Sequence, residues 1–96
     1  MKFAAIIEYA PVPDTITRVR PVHREYIKGL QKNGQIAIAG PFIDDSGGLL
    51  VYEAETPEQV DALIRNDPFF KEGVFKSWVL RAWKPVSANP ALLPTS

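Results

Sequence analysis

The feature that most constrains this chain is the order in which strand-like and helix-like segments follow one another. Two segments, 20–33 and 57–66, carry apolar residues at three- and four-residue steps, which is the spacing of an amphipathic helix. Short, largely apolar segments with the length of strands surround them, at 3–9, 36–39, 49–54 and 74–83. The resulting β-α-β-β-α-β order predicts an α+β, ferredoxin-like sandwich, in which both helices cover one face of an antiparallel sheet.

Turn and cap residues set the expected limits of these segments. Ala10 to Thr15 contains two prolines and an aspartate, so it predicts a loop, and Pro21 suits the first turn of the helix that follows. Asn33-Gly34 predicts the end of that helix. Thr56-Pro57 predicts the start of the second helix and Asp67-Pro68 its end, because a residue before proline disfavours helical backbone angles.

The second and third strands are expected to form a hairpin. Gly40-Pro41 predicts a break or bulge at the end of the second strand, and the cluster 44–48 predicts a turn. The whole domain is expected to cover 1–85. The proline-rich segment 86–96 is expected to be a C-terminal tail.

The strands carry apolar residues on both faces, which is unusual for a sheet with one side in water. In the first strand, for example, Ile6 and Ile7 point to opposite faces. In the fourth strand, one expected face holds Val74, Trp78 and Leu80, and the other holds Phe75, Val79 and Trp83. Two helices cover only one face, so we expect an identical subunit to cover the other and form a homodimer. The alternative is cover by the tail, whose large apolar residues are Leu92 and Leu93.

The composition excludes several classes of function. Of the 96 residues, 11 are Lys or Arg and 11 are Asp or Glu, so nonspecific nucleic-acid binding through a cationic surface is not expected. With no cysteine and one histidine, thiolate and multi-histidine metal sites within one subunit are excluded. No segment approaches the roughly 20 apolar residues of a membrane span, and no secretory signal is recognisable. We therefore expect a cytoplasmic protein with no membrane partner.

The single histidine, His23, lies among the apolar positions of the first helix. Asp67 follows Ile64 by three residues and continues the apolar face of the second helix. The apolar positions around His23 are Val19, Val22, Tyr26, Ile27 and Leu30. Helices that share one sheet face bring both ionisable groups into the same layer, where each is costly alone and stabilises the other if they meet. The alternatives are a core histidine bonded to a backbone carbonyl and a turn aspartate before proline.

Several short motifs, spread over about residues 2–85, give these positions a context. They are Arg20-Pro21-Val22-His23, Gly34, Ala39-Gly40-Pro41, Gly47-Gly48, and Asp67-Pro68-Phe69 with Gly73. In this order and spacing they resemble the YCII family (YciI-like proteins) of the dimeric α/β barrel superfamily. The resemblance implies two ferredoxin-like subunits packed sheet to sheet. It also implies an active-site pocket whose histidine and aspartate map onto His23 and Asp67, with Arg20 and Gly40-Pro41 beside it.

The candidate catalytic residues are His23 and Asp67. A histidine exchanges protons near neutral pH, and a carboxylate bonded to one ring nitrogen fixes its tautomer and supports the imidazolium. Candidate substrate-binding residues are Arg20 as a clamp for a carboxylate or phenolate, Gly40 and Pro41 where the main chain approaches a ligand, Ser46, and Tyr9. Each has a simpler alternative: a solvated arginine, a backbone requirement for glycine, a turn serine, and a core or rim tyrosine.

Three hypotheses about function follow. The first is a small enzyme without a cofactor, which uses the His-Asp pair for elimination or isomerisation of a small cyclic or aromatic anionic metabolite. Some members of the resembled family are similar to lyases that act on halogenated aromatic products. The second is a non-catalytic domain that binds a small ligand, and the third is an accessory domain whose role is dimerisation. Loss of turnover in His23→Ala with retained ligand binding separates the first hypothesis from the second.

Overall fold

The chain forms a four-stranded antiparallel sheet with helices packed on one face, as shown by a computed structural model that describes residues 1–95. The elements are β1 (Lys2–Tyr9), α1 (Pro13–Lys32), β2 (Ile36–Pro41), β3 (Gly47–Glu53), α2 (Pro57–Arg65), α3 (Pro68–Lys71) and β4 (Phe75–Trp83). The strand order is β2-β3-β1-β4, and every neighbouring pair is antiparallel. The predicted ferredoxin-like α+β fold is confirmed, with the short helix α3 added after α2.

Helix α1 is longer than the sequence pattern suggested, and the prediction of a loop through Thr15 was wrong. The helix begins at Pro13, which occupies its first position, and it buries Ile16 and Val19 before reaching Pro21. Pro21 therefore lies inside the helix, where its missing N–H leaves the carbonyl of Thr17 without its helical partner. Burial of Ile16 and Val19 favours helix on the N-terminal side of Pro21 and offsets this cost.

The sequence predicted the C-terminus of α1 correctly but not the orientation of Val22. Asn33 caps the helix and Gly34 has a φ of 75°, a left-handed conformation that glycine adopts without strain. The assignment of Val22 to the inward stripe was wrong, because its side chain is 58 % exposed. The stripe instead runs along Ile16, Val19, His23 and Leu30, with Val22 on the flank.

The β2–β3 hairpin also differs from expectation at Gly40-Pro41. These residues do not break β2, which continues through Pro41, and the irregular pairing lies earlier, between Ile36 and Ile38. A proline is tolerated here because β2 is an edge strand. Gly47 opens β3 at a point where a Cβ would overlap the Ile7 carbonyl oxygen, so the close pairing of β3 with β1 requires glycine.

The face of the sheet under the helices holds the core. From β1 it takes Phe3, Ala5, Ile7 and Tyr9, and from β3 Leu50 and Tyr52. Helices α1 and α2 complete it with Ile16, Val19, Leu30, Val60 and Ile64. Helix α2 is tied down by two polar contacts, since the Tyr26 hydroxyl donates to the Leu63 carbonyl at 2.7 Å and Trp78 Nε1 donates to Asp61 at 3.2 Å.

Strand β4 corrects one assignment of faces. Trp78 and Leu80 were expected to share a face and they do, on the helix side, but Phe75, which was expected on the other face, lies there too, buried against Tyr9. The reason is an irregularity in the β1–β4 ladder: Glu8 pairs with Ser77 and Tyr9 with Phe75, so one residue of β4 is left over. This extra residue reverses the alternation at the start of the strand.

The opposite face, which we call the open face, has no helix on it. Its exposed apolar side chains are Ile6, Ile38, Leu49, Val79 and Trp83. The tail crosses one end of this face: Val51 is only 2 % exposed and shares a cavity with Leu92 and Leu93. The tail, which the sequence offered as the alternative cover, therefore covers Val51, while Ile6, Leu49 and Val79 stay in contact with solvent.

Candidate active site

Asp67 occupies the junction between α2 and α3, rather than a position on the face of α2. Its backbone is extended (φ −71°, ψ 134°), because Pro68 follows it, and its side chain caps α3. Oδ1 of Asp67 accepts a hydrogen bond from the Phe69 N–H at 2.8 Å. The Asp67-Pro68-Phe69 sequence thus ends one helix, starts the next and fixes the direction of the carboxylate.

The same carboxylate oxygen meets His23. Nδ1 of His23 lies 2.8 Å from Oδ1 of Asp67. A carboxylate only accepts hydrogen bonds, so the tautomer that fits this contact is the one that carries its proton on Nδ1 and donates it to Asp67. The side chain of Asp67 is fully buried and that of His23 is 13 % exposed, so this charge-assisted bond is shielded from water.

Aromatic packing holds the His23 ring in place. The ring stacks on Phe69, with centroids 3.9 Å apart and planes 7° apart, and Phe75 meets it edge-on at 6.1 Å. With Nδ1 engaged by Asp67 and one ring face covered by Phe69, Nε2 is the remaining polar atom. Nε2 has no hydrogen-bond partner among residues 1–95. The ring is thus oriented with one nitrogen available for a ligand.

Two buried polar atoms at this site lack a hydrogen-bond partner within residues 1–95. They are the second carboxylate oxygen of Asp67, Oδ2, and the hydroxyl of Tyr52. Burial and, next, the charge of Asp67 raise the pKa of Tyr52 far above its ordinary value. Tyr52 is therefore a neutral hydroxyl close enough to the carboxylate to interact with it electrostatically. Unsatisfied buried groups of this kind are rare in native proteins, and they gather here around Asp67.

A cavity of about 180 Å³ opens beside His23, between α1 and the β2 edge of the sheet. Its apolar walls come from Ile27, Ala39, Pro41, Leu50 and Phe69. Its polar and charged lining comes from Tyr9, Arg20, His23, Arg24 and Lys28, and Gly40 completes it. No acidic residue of the described chain lines it. The cavity is therefore apolar at the walls and cationic along α1.

Tyr9 lies both in the core and at this cavity. Burial, followed by the nearby charge of Asp45, raises the pKa of the Tyr9 hydroxyl to about 12. The hydroxyl therefore stays protonated across the neutral range and is a hydrogen-bond donor at the cavity wall. The two simpler roles suggested by the sequence, core packing and rim, both describe part of its environment.

Arg20 reaches the cavity lining but already has a partner. Its Nη2 lies 2.7 and 2.6 Å from the two carboxylate oxygens of Asp45, in the loop between β2 and β3. Asp45 has a φ of 61°, the left-handed region, which aspartate tolerates better than most residues. The contact therefore fixes the loop against α1 and removes much of the positive charge that a substrate clamp would use.

The other candidates divide between the cavity and the surface. Gly40 and Pro41 line the cavity, and a Cβ on Gly40 would meet nothing within 4 Å, so space in the fold does not demand glycine there. The structure does not bring Ser46 to the cavity. Its hydroxyl donates to Asp44 Oδ1 at 2.7 Å and its N–H to the same oxygen at 3.0 Å, which makes it a turn residue.

Six lining residues were not among the site residues that the sequence suggested: Arg24, Ile27, Lys28, Ala39, Leu50 and Phe69. Arg24 and Lys28 were detectable in principle, since they follow Arg20 at four-residue steps and so lie on one row of the helix. Leu50 and Phe69 carry no such signal, because an apolar residue beside a cavity and one in the core look alike in a sequence.

Two features are absent from the part of the chain that the structure describes. No group of three or more His, Cys, Asp or Glu side chains among residues 1–95 is arranged to hold a metal ion. Over the same residues, no helix combines the length and apolar character that a bilayer crossing needs.

Residues 1–84 match the model of the YCII-related domain family, and the chain belongs to this family. Its relatives include the uncharacterized protein YjpA of Bacillus subtilis (strain 168), which is 32 % identical over 63 residues, 62 % of this chain and 74 % of YjpA. A solved structure with the same fold is 5-chloro-2-hydroxyhydroquinone dehydrochlorinase (TftG) from Burkholderia phenoliruptrix AC1100, in complex with 2,5-dihydroxybenzoquinone. The two share a TM-score of 0.76 and 28 % identity, over 88 % of this chain and 94 % of that one.

Proposed function

We propose that this chain is a small enzyme in which His23 transfers a proton to or from a single-ring anionic metabolite, oriented by Asp67. The observation that carries the proposal is the buried 2.8 Å contact between His23 Nδ1 and Asp67 Oδ1 at the wall of a cavity. The bond leaves Nε2 as the reactive nitrogen. The chemical classes that fit are elimination, as in a lyase, and isomerisation.

The size of the cavity supports a substrate with one ring. A cavity of about 150 Å³ lined by apolar side chains accommodates benzene. The cavity beside His23 measures about 180 Å³, which is enough space for one six-membered ring. The similarity to TftG, whose structure holds a quinone with a single ring, supports the same substrate class.

The proposed chemistry uses residues of this chain alone. Nε2 of His23 takes a proton from the substrate, the electron pair that held it forms a new double bond, and a leaving group departs as an anion. The imidazolium so formed is stabilised by the Asp67 carboxylate, which is fixed by the Phe69 N–H. Tyr9, neutral at the cavity wall, is placed to donate a hydrogen bond to an oxygen of the ring. We include no cofactor in this proposal.

The test measures turnover of 5-chloro-2-hydroxyhydroquinone and related halogenated hydroquinones. Ultraviolet absorbance and the release of halide report the reaction. His23→Ala is expected to reduce kcat by at least about 100-fold, the contribution of a positioned general base, with binding retained. Lys32→Gln, on the same helix beyond the cavity, is the matched control and should leave kcat unchanged. If the unmodified protein binds these compounds but does not turn them over, the enzyme hypothesis is wrong and a non-catalytic binding domain takes its place.

We also propose that two copies associate through the open face. Ile6, Leu49 and Val79 form an exposed apolar patch that the tail leaves uncovered, and such patches in a small domain mark interaction surfaces. A homodimer is the expected result, and light scattering measures it directly. Val79→Glu should produce a monomer, while Lys76→Glu on the same strand should not. A monomer in the unmodified protein at micromolar concentration would contradict this proposal.

A further inference from the structure

Three cationic side chains form a row along α1 at the mouth of the cavity. Arg20, Arg24 and Lys28 are spaced four residues apart, so they follow one another along the same side of the helix. All three line the cavity beside His23. In a chain with a formal net charge of zero, this local concentration of positive charge needs an explanation.

The three cations are not equivalent. Arg20 is held by both oxygens of Asp45, as described above. Arg24 and Lys28, in contrast, have no carboxylate within 4 Å among residues 1–95 and make no side-chain hydrogen bond within that range. Glu25 is their nearest acidic neighbour along the helix; it shares an adjoining surface groove with Arg24 and Lys28 but does not line the cavity. Two exposed positive charges that form no ion pair among residues 1–95 therefore remain at the cavity mouth.

We propose that Arg24 and Lys28 bind the ionised group of the substrate, and so select a single ring that bears a carboxylate or phenolate. This inference rests on the function proposed above and names the substrate class of the same site. Arg20 was the residue that the sequence suggested for this role. Arg20 instead binds Asp45 in the β2–β3 loop, so Arg24 and Lys28 are the residues left to bind an anion.

The geometry separates recognition from chemistry. Arg24 directly follows His23, and Lys28 lies one turn further along α1, with Ile27 between them on the cavity wall. A ring that packs on the apolar wall thus places its charged group toward the helix row and its reacting atom toward His23. The charge of Arg24 also reaches into the cavity, because it lowers the pKa of the Tyr9 hydroxyl against the stronger opposing effects of burial and Asp45.

The test compares benzoate with benzamide, two ligands of nearly equal size of which only the first is charged. Binding is followed by the NMR signals of the single histidine ring. In the unmodified protein, benzoate is expected to bind about tenfold more tightly than benzamide, and this preference should fall as salt is raised. Arg24→Gln and Lys28→Gln should each weaken benzoate binding by about three- to tenfold and leave benzamide binding unchanged.

Lys32→Gln, one turn beyond Lys28 and outside the cavity lining, is the matched control and should change neither affinity. Arg24→Lys keeps the charge and should retain most of the benzoate preference, which guards against a general loss of structure. Equal affinity for the two ligands, or no detectable benzoate binding, overturns the inference. Turnover tests the proposed function separately. If benzoate is preferred but no turnover is found, the protein is not an enzyme and the role of Arg24 and Lys28 in anion binding stands. If turnover is found but substitution of Arg24 and Lys28 has no effect, the protein is an enzyme and their role in anion binding is wrong.

Discussion

The two faces of the sheet carry similar apolar residues but differ in how far these residues are buried. On the helix side, Ile7 is 1 % exposed and belongs to the core, whereas its neighbour Ile6 on the open face is 46 % exposed. The helix side also contains the buried contact between His23 and Asp67, while the charged groups of the open face meet water. One face is closed by the chain itself and holds the candidate site. The other is closed only in part, by the tail over Val51.

The two faces contribute differently to the stability of one subunit. A face closed within the subunit supplies stability and can bury an ionisable pair, because packing and hydrogen bonds offset the desolvation of the charges. A face that leaves Ile6, Leu49 and Val79 in water adds little to the stability of one subunit, and its apolar area becomes useful only when a second surface covers it. The two faces should therefore respond differently to the same substitution.

The largest expected effect comes from Ile7→Ala. The side chain is fully buried under the helices, so its truncation should lower the free energy of unfolding by about 2–5 kcal/mol. Ile6→Ala removes the same atoms from the adjacent residue on the open face and should cost less than about 1 kcal/mol at low protein concentration. Urea denaturation of the two variants makes the comparison.

Protein concentration sharpens this result. If a second subunit covers Ile6, the cost of Ile6→Ala should grow as the protein becomes more concentrated, because association then contributes to stability. The cost of Ile7→Ala should stay constant. Equal costs for the two variants at low concentration would show that the faces are not as different as the exposures of these two residues indicate.

The second prediction concerns Asp67, which caps α3 as well as binding His23. Asp67→Ala removes the cap to Phe69 and should lower the free energy of unfolding by about 0.5–2 kcal/mol. Asp67→Asn keeps an oxygen for the Phe69 N–H but loses the charge, so it should be less destabilising and yet reduce kcat. The ¹⁵N shifts of the His23 ring report whether Nδ1 still carries the proton. Equal kcat in Asp67→Asn and the unmodified protein would show that the negative charge of Asp67 does not contribute to turnover.

The third prediction separates two tyrosines of the helix-covered side by their hydroxyls. Tyr26 donates to the Leu63 carbonyl at 2.7 Å, and Tyr26→Phe should cost about 1 kcal/mol. The Tyr52 hydroxyl is buried without a partner among residues 1–95, so Tyr52→Phe should leave stability unchanged or raise it slightly. Thermal denaturation of the two variants measures the difference. A cost for Tyr52→Phe as large as that for Tyr26→Phe would show that this hydroxyl is satisfied in solution.

The sequence predicted the fold well where periodicity decides it, and less well where one residue changes the phase. The order of strands and helices followed from apolar spacing and from turn residues such as Asn33-Gly34. The start of α1 did not, because Pro13 and Pro21 are both compatible with a first helical turn and only the burial of Ile16 and Val19 distinguishes them. The face of Phe75 was missed because a single extra residue in β4 reverses the alternation.

The candidate site shows the same limit. Sequence spacing placed His23 and Asp67 in one layer, but it did not predict the way in which they meet, since Asp67 reaches His23 from the cap of α3, a helix that the pattern did not predict. The partner of Arg20 was also out of reach, because Asp45 lies 25 residues further along the chain, in a loop whose path only the fold determines. Pairing between distant loops and helices is set by tertiary structure, and local pattern contains little of it.

The smallest expected effect lies on the open face, in the pH dependence of Glu53. Its carboxylate accepts hydrogen bonds from Lys2 at 2.8 Å and from the amino group of Met1 at 2.7 Å, and these hold the pKa of Glu53 at about 2, below its ordinary value of 4.5. A carboxyl whose pKa is lowered by folding stabilises the folded state above the unfolded pKa of 4.5, and this contribution is lost as pH falls through about 2. The urea midpoint of the unmodified protein should therefore exceed that of Glu53→Gln at pH 5, and the difference should shrink between pH 4.5 and pH 2. Because the side chains of Lys2 and Glu53 are 35 % and 38 % exposed, salt should reduce the difference as well. Ile6→Ala, on the same face but uncharged, should show a constant difference over this range. A difference for Glu53→Gln that does not change with pH would mean that the contacts of Glu53 with Lys2 and Met1 do not persist in solution.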